Sequence, residues 1–302
     1  MHNRMLEIRL FHQYMTSTCQ TLSQDGLSAY HMSITIPRMA TSYPYLLDCI
    51  LALSALHLAT IEEDNRLLWL DAAVRYQSSA CSGMSKILPD ISPQHYEPAF
   101  VCSVLIFLFA TGFPGMSPNS NRPSDPLSEV LEGRSLIAGS AMLFTRFYEI
   151  GVHAELNGWL CPPDTEENLA HKEENRSIMR SLENVRIIIE ANQSPQKELY
   201  KDMWQLLHHA VQPWPKLGPQ GGVFAWPFFV PEECISLLQG GDWVARIIFL
   251  HYSVSMRLMC HRWYVRDRGR RMVLATLEPL KEIPPEWTET ISWMKEALGI
   301  DT

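Results

Sequence analysis

An all-α fold follows from three features of the 302-residue chain. Apolar residues recur at helical spacing, two long runs are apolar on every side, and no strand-length alternation occurs. The reading is a single domain over residues 1–302, built from roughly ten helices, with no internal repeat and no clean boundary. Composition agrees: 46% of residues are hydrophobic and 19% charged, and twenty prolines and fifteen glycines are ordinary usage. Collagen-like, low-complexity and disordered classes are thereby excluded. The net charge of −8 and pI near 5.8 make a poor general nucleic-acid binder, because phosphate neutralisation needs a basic surface.

The elements read in order as follows. Met5, Ile8, Leu10, Phe11 and Met15 mark a first helix over about 5–23, stopped by Ser23-Gln24-Asp25-Gly26. Tyr43-Pro44 opens a buried helix to about Glu62. Asn65 is placed to cap the next, 66–88, which Pro89 ends. A third apolar helix covers 94–111, and the breaker-rich stretch GFPGMSPNSNRPSD predicts a mobile loop over about 112–126. Helical signal resumes from Leu127 to Glu155. Pro162-Pro163-Asp164 leads into a long polar helix to about Ala191, with Asp164 as its cap and Glu166 and Glu167 in its first turn. A helix over 196–211 precedes an aromatic and Pro-rich loop over about 212–233. The last apolar helix, 242–264, carries Trp243, Ile247, Leu250, Val254 and Leu258 on one stripe, and a final helix covers about 286–298.

The most apolar stretch, Ala99 to Phe113, spans only about 22 Å as a helix against the ~30 Å of a bilayer core. It reads as a core helix, as does Leu46 to Ala59. The N-terminus carries charges where a signal peptide needs apolar residues. The seven cysteines are scattered, too far apart for a metal knuckle, and most lie in apolar runs. They read as free thiols of an intracellular protein.

Cofactor and metal signatures do not appear. Gly221-Gly222 lacks the Lys-Ser or Lys-Thr of a phosphate loop, and no HExxH or clustered His/Cys set occurs. Glu62-Glu63-Asp64 reads as a solvated charge run. Glu149 and His153, four apart on a helix, read as a surface pair. His208 and His209 diverge by helical geometry, so at most one serves a site. Asp48 and His57 stand inside an apolar helix, where a charged group is costly unless paired, and His251-Tyr252 repeats that situation. Arg257, Arg262, Arg266, Arg268, Arg270 and Arg271 form the one basic cluster, read as a solvated helix face or salt bridges to acidic neighbours, and only occasionally as an anion site.

Several segments together resemble a family. Ile36-Pro37-Arg38-Met39-Ala40 with the run Tyr43 to Ala59, then Trp226 to Glu233, Ala245 to Tyr252, Trp263 to Val273 and Trp287 to Trp293, resemble the C-terminal regulatory domain of fungal sterol-uptake-control zinc-cluster transcription factors. The likeness runs from about residue 6 to 298. It implies an all-helical domain that encloses a hydrophobic cavity, takes up a sterol and often dimerises. The six-cysteine zinc cluster that precedes this domain in the family does not occur in this sequence, so no nucleic-acid contact by this chain alone is expected. The N- and C-terminal ends fit the family pattern as a complete gene product.

Two functions fit these features. One is a stand-alone fungal natural-product enzyme without metal or cofactor, a terpenoid or polyketide cyclase or pericyclase, including hetero-Diels–Alder chemistry with dehydration. Such a reaction depends mainly on orientation, which contributes ~7–11 kcal/mol. The alternative is a sterol-type ligand-sensing domain, nuclear rather than cytoplasmic. For either, Trp226, Phe228, Phe229, Trp243 and Phe107 are the expected cavity walls. His251 and Tyr252 are the expected polarising or proton-transferring groups, with Asp48 and His57 in reserve.

Overall fold

A computed structural model describes residues 2–23, 26–116, 127–131, 134, 172–212, 223, 226–227, 229–280 and 282–300. Helices account for nearly all regular structure, and the described residues contain no strand. The all-α expectation therefore holds. The chain divides into two compact units, the first comprising residues 1–122, 132–162 and 262–264 and the second 123–131, 163–261 and 265–302.

The first unit begins with a nearly unbroken helical run: α1 (His2–Gln13), a π-helical turn (Tyr14–Thr18) and α2 (Cys19–Leu22). α3 (Gly26–Tyr30), a second π-helical turn (His31–Thr35) and α4 (Ile36–Ala40) follow. Sequence periodicity passed over most of this 26–40 region, because the helix is cut into pieces of five residues each. α5 (Pro44–Ile61), α6 (Arg66–Ile87) and α7 (Pro93–Gly112) supply the core. α5 is apolar on all sides because it packs on all sides, and an unbroken stretch from Cys49 to Ala59 is buried. Asn65 precedes α6 as expected but its side chain makes no capping bond.

At 18 and 20 residues, α5 and α7 are long and apolar enough to cross a membrane by length and composition, yet 72% and 67% of those windows are buried within the protein. Length alone, used in the sequence reading, does not separate the two cases. Burial assigns both helices to a core. Pro98 sits inside α7 and cannot donate to the carbonyl four residues back. That carbonyl, on Gln94, instead accepts the Tyr43 hydroxyl at 3.0 Å. Glu63 and Asp64 are exposed, as a solvated run requires, while Glu62, at the end of α5, is partly exposed and paired: it accepts from Arg9 at 2.8 Å and from Trp69 Nε1 at 2.9 Å, and the Arg9 guanidinium lies 4.6 Å from the Trp69 ring centre. α1 is thus tied to the α5–α6 corner.

In the second unit, α8 (Lys172–Ala191) presents Ile178, Leu182, Val185 and Ile189 to the interior and Arg176, Arg180, Glu183 and Glu190 outward. The cap expected for it, Asp164, and the first-turn residues Glu166 and Glu167 lie outside the described residues, as do Glu149 and His153. So do residues 117–126 of the expected loop and 213–222 of the aromatic segment. α9 (Lys197–Val211) packs on α8, and Trp204 donates to the Leu182 carbonyl at 2.8 Å. α10 (Glu232–Gln239) leads through Gly241, at φ +78°, into α11 (Trp243–Ser255). α11 is shorter than its apolar stripe suggested: it gives way to a 3-10 turn, Met256–Met259. α12 (Arg268–Leu277) and α13 (Thr288–Ala297) complete the unit.

Sequence reading gave Arg268 either a solvated helix face or a salt bridge to an acidic neighbour, and the salt bridge is what the structure has. Arg268 is buried, 6% exposed, and pairs with Glu129 at 3.2 Å. Gly269 beside it approaches α11 so closely that a Cβ would stand 2.3 Å from the Ser253 carbonyl oxygen. Glycine is therefore required there by backbone proximity.

Candidate functional site

The side chains singled out from sequence fall into both units. On α5, Asp48 is half-buried and accepts the Ser79 hydroxyl at 2.6 Å; burial raises its carboxyl pKa and the Ser79 bond partly offsets this. His57 is buried on the same helix, with Nδ1 2.9 Å from Thr18 Oγ1 and its ring stacked on Trp263 at 4.9 Å and 14°. Phe107 is half-buried on α7. These side chains stand among the packing contacts of the first unit.

His251 and Tyr252 are buried on α11, and successive helical residues diverge by about 100°. His251 faces α8 and α13. Its Nδ1–H donates to the Ile247 carbonyl at 2.8 Å, and its Nε2 accepts the Ser181 hydroxyl at 2.8 Å. Its ring stacks on Trp293, 5.6 Å away, and Trp293 Nε1 donates to Ser177 Oγ at 3.2 Å. Burial pulls the imidazole pKa down to about 4. The ring is accordingly neutral, with both nitrogens engaged by the protein. Tyr252 instead stacks on Trp226, with ring centres 4.6 Å apart and planes at 27°. Burial raises its hydroxyl pKa, and the charge of Arg268 opposes that only in part.

Of the expected cavity walls, Trp226 is thus a packed partner of Tyr252, whereas Phe229 is 60% exposed. Phe228 lies outside the described residues. Trp243 is different. It lines a cleft of about 570 Å³ in the second unit, together with Ile188, Asn192, Leu237, Glu286 and Trp287. That volume is in the ordinary range for a small-molecule site.

The cleft is built by the start of α11. Asp242 caps that helix: Oδ1 accepts the Ala245 N–H at 2.9 Å and Oδ2 accepts the Tyr200 hydroxyl at 2.7 Å. The carboxylate is thereby fixed at the cleft wall, and the Arg246 guanidinium lies 4.9 Å from the Trp243 ring centre. Its lining combines apolar residues (Ile188, Leu237, Trp243, Trp287) with the polar Asn192, Asp242 and Glu286. Sequence reasoning named Trp243 alone. Gly240-Gly241-Asp242 ahead of an apolar run is an N-cap signature that marks this corner; the distant contributors Asn192 and Glu286 leave no local signal. Among the described residues no group of three His, Cys, Asp or Glu side chains is placed to hold a metal ion.

Comparison with known proteins adds what the geometry does not. The family model described as fungal specific transcription factor domain matches residues 9–132. A Zn(2)-C6 fungal-type transcription factor of Gibberella zeae is 34% identical over 108 residues, which is 34% of this chain and 22% of that protein. The chain carries a fungal transcription-factor-like region. The match spans about a fifth of that relative's length, 22%, and the matched residues 9–132 include α5, α6 and α7, the helices of the first-unit core.

Proposed function

We propose that this chain is a ligand-responsive regulatory domain of the fungal transcription-factor kind, acting in the nucleus through a DNA-binding partner or module. The observation that carries the reading is the family match over residues 9–132. Its effector is a bulky hydrophobic metabolite of the sterol, terpenoid or polyketide class bearing a hydroxyl group. The cleft beside Trp243 suits such a molecule: Trp243, Trp287, Ile188 and Leu237 cover an apolar body, while Asn192 and Glu286 receive a polar end.

The cofactor-free enzyme is the weaker reading. His251, its favoured base, has Nδ1 on the Ile247 carbonyl and Nε2 on Ser181, so deprotonating a ligand requires breaking a buried bond first. Tyr252 is held in its neutral form by burial, which suits packing or hydrogen-bond donation better than proton abstraction.

The test joins the chain to a heterologous DNA-binding domain in yeast carrying a matched reporter. The regulatory reading predicts reporter output that responds to a hydrophobic metabolite and loses that response in Trp243→Ala. Output indifferent to sterols, terpenoids and polyketides alike, with conversion of one of them by the purified protein, sinks it in favour of catalysis.

A further inference from the structure

Cysteines from three successive helices gather in the core of the first unit. Cys49 on α5 and Cys102 on α7 are 1% and 0% exposed, and their Sγ atoms are 3.2 Å apart. Each thiol also faces a backbone carbonyl of the opposite helix, Cys49 that of Cys102 at 3.8 Å and Cys102 that of Tyr45 at 3.9 Å. The two sulfurs thus point at each other. A disulfide needs them at about 2.05 Å, closer by roughly 1 Å. Cys81, half-buried on α6, lies within electrostatic reach of both.

We propose that Cys49 and Cys102 are a redox-active dithiol, oxidised by a hydroperoxide to an intramolecular disulfide that staples α5 to α7 and is reopened by a thiol reductant. In the first step one thiol, as its thiolate, attacks a peroxide oxygen. The O–O bond breaks, the released hydroxide or alkoxide takes up the thiol proton and leaves as water or an alcohol, and a sulfenic acid remains. The neighbouring thiol then attacks that sulfur, the S–O bond breaks, water leaves with that thiol's proton and the S–S bond forms. Two thiols give up two electrons to one peroxide. Burial raises the pKa of Cys49 and also of Cys81, so little thiolate is present at neutral pH and the reaction is slow there, quickening as pH rises. Cys49 and Cys102 are 53 positions apart, so the closed loop restricts the unfolded chain substantially.

The test uses the full chain with the exposed Cys260 replaced by serine. It is treated with excess hydrogen peroxide, alkylated, digested without reductant and analysed by mass spectrometry. The expected product is a peptide pair joined through Cys49 and Cys102, two hydrogens lighter than the separate peptides and separated again by dithiothreitol. Oxidation should also raise the melting temperature by about 5 °C. Cys49→Ala and Cys102→Ala should each abolish both effects. Should either variant fail to fold, isotope-coded alkylation of the otherwise unaltered chain before and after peroxide reads the matched loss of the Cys49 and Cys102 thiols, and the non-reduced digest reads their link. The proposal is overturned by folded protein that oxidises at Cys81 or Cys19 without the Cys49–Cys102 link, or that forms the link only in denaturant.

Discussion

His251 offers a direct quantitative handle on the interior of the second unit. Its imidazole is buried and neutral, with a pKa of about 4 against 6.5 for an exposed ring. Between those values the unfolded chain binds a proton that the folded chain refuses, so stability rises with pH across this window and falls as pH drops through it. A difference of 2.5 pKa units corresponds to roughly 3 kcal/mol at about 1.4 kcal/mol per unit. His251→Gln removes the titration while keeping an amide within reach of the Ser181 hydroxyl, and should cost about 1–2 kcal/mol at neutral pH for the imperfect replacement. Urea unfolding of both proteins at steps from pH 7.5 to pH 4 gives the test. Carboxylates titrate in both and cancel in the difference. Between pH 7 and pH 4 the unaltered protein should lose roughly 3 kcal/mol more than the variant, so the two curves converge and cross. Parallel curves would refute the buried, neutral histidine and the network drawn around it.

Other substitutions test separate contacts. Glu129→Gln leaves the buried Arg268 guanidinium without its carboxylate at 3.2 Å and should destabilise by ~3 kcal/mol, measured by chemical unfolding. Gly269→Ala forces a Cβ to within 2.3 Å of the Ser253 carbonyl oxygen; a loss of ~3 kcal/mol or failure to fold is expected, and a neutral outcome in thermal melts contradicts the close approach of α11 and α12. Thr18→Val removes the hydroxyl 2.9 Å from His57 Nδ1, and a loss of about 1–2 kcal/mol should appear in the same assay.

Much of the fold was legible because its helices announce themselves in different ways. α5 and α7 are apolar throughout, and the stripe Ile247, Leu250, Val254 and Leu258 is buried as its spacing required. The 26–40 region was not legible, because π-helical turns shift the phase of the pattern every few residues. Arg268 shows a comparable limit: an arginine among arginines reads as a solvated face or a salt-bridge donor, and its acidic partner Glu129 is too remote in sequence for local spacing to decide between them. For the cleft, Trp243 was visible as an aromatic at the head of an apolar helix. Asn192 and Glu286 reach it from other elements, a tertiary relation that no local spacing encodes. Tyr252 and Trp226, chosen as neighbours of a ligand, are stacked on one another.

The central claim is that the chain binds a hydrophobic metabolite as a signal and does not transform it. Equilibrium binding of dehydroergosterol to the purified chain, followed by extraction and mass analysis of the bound material, tests it most directly. The account predicts saturable binding at one site, weakened at least tenfold by Trp243→Ala, with the sterol recovered unchanged. Absence of saturable binding by this sterol and by terpenoid and polyketide probes, or recovery of a converted product, contradicts it.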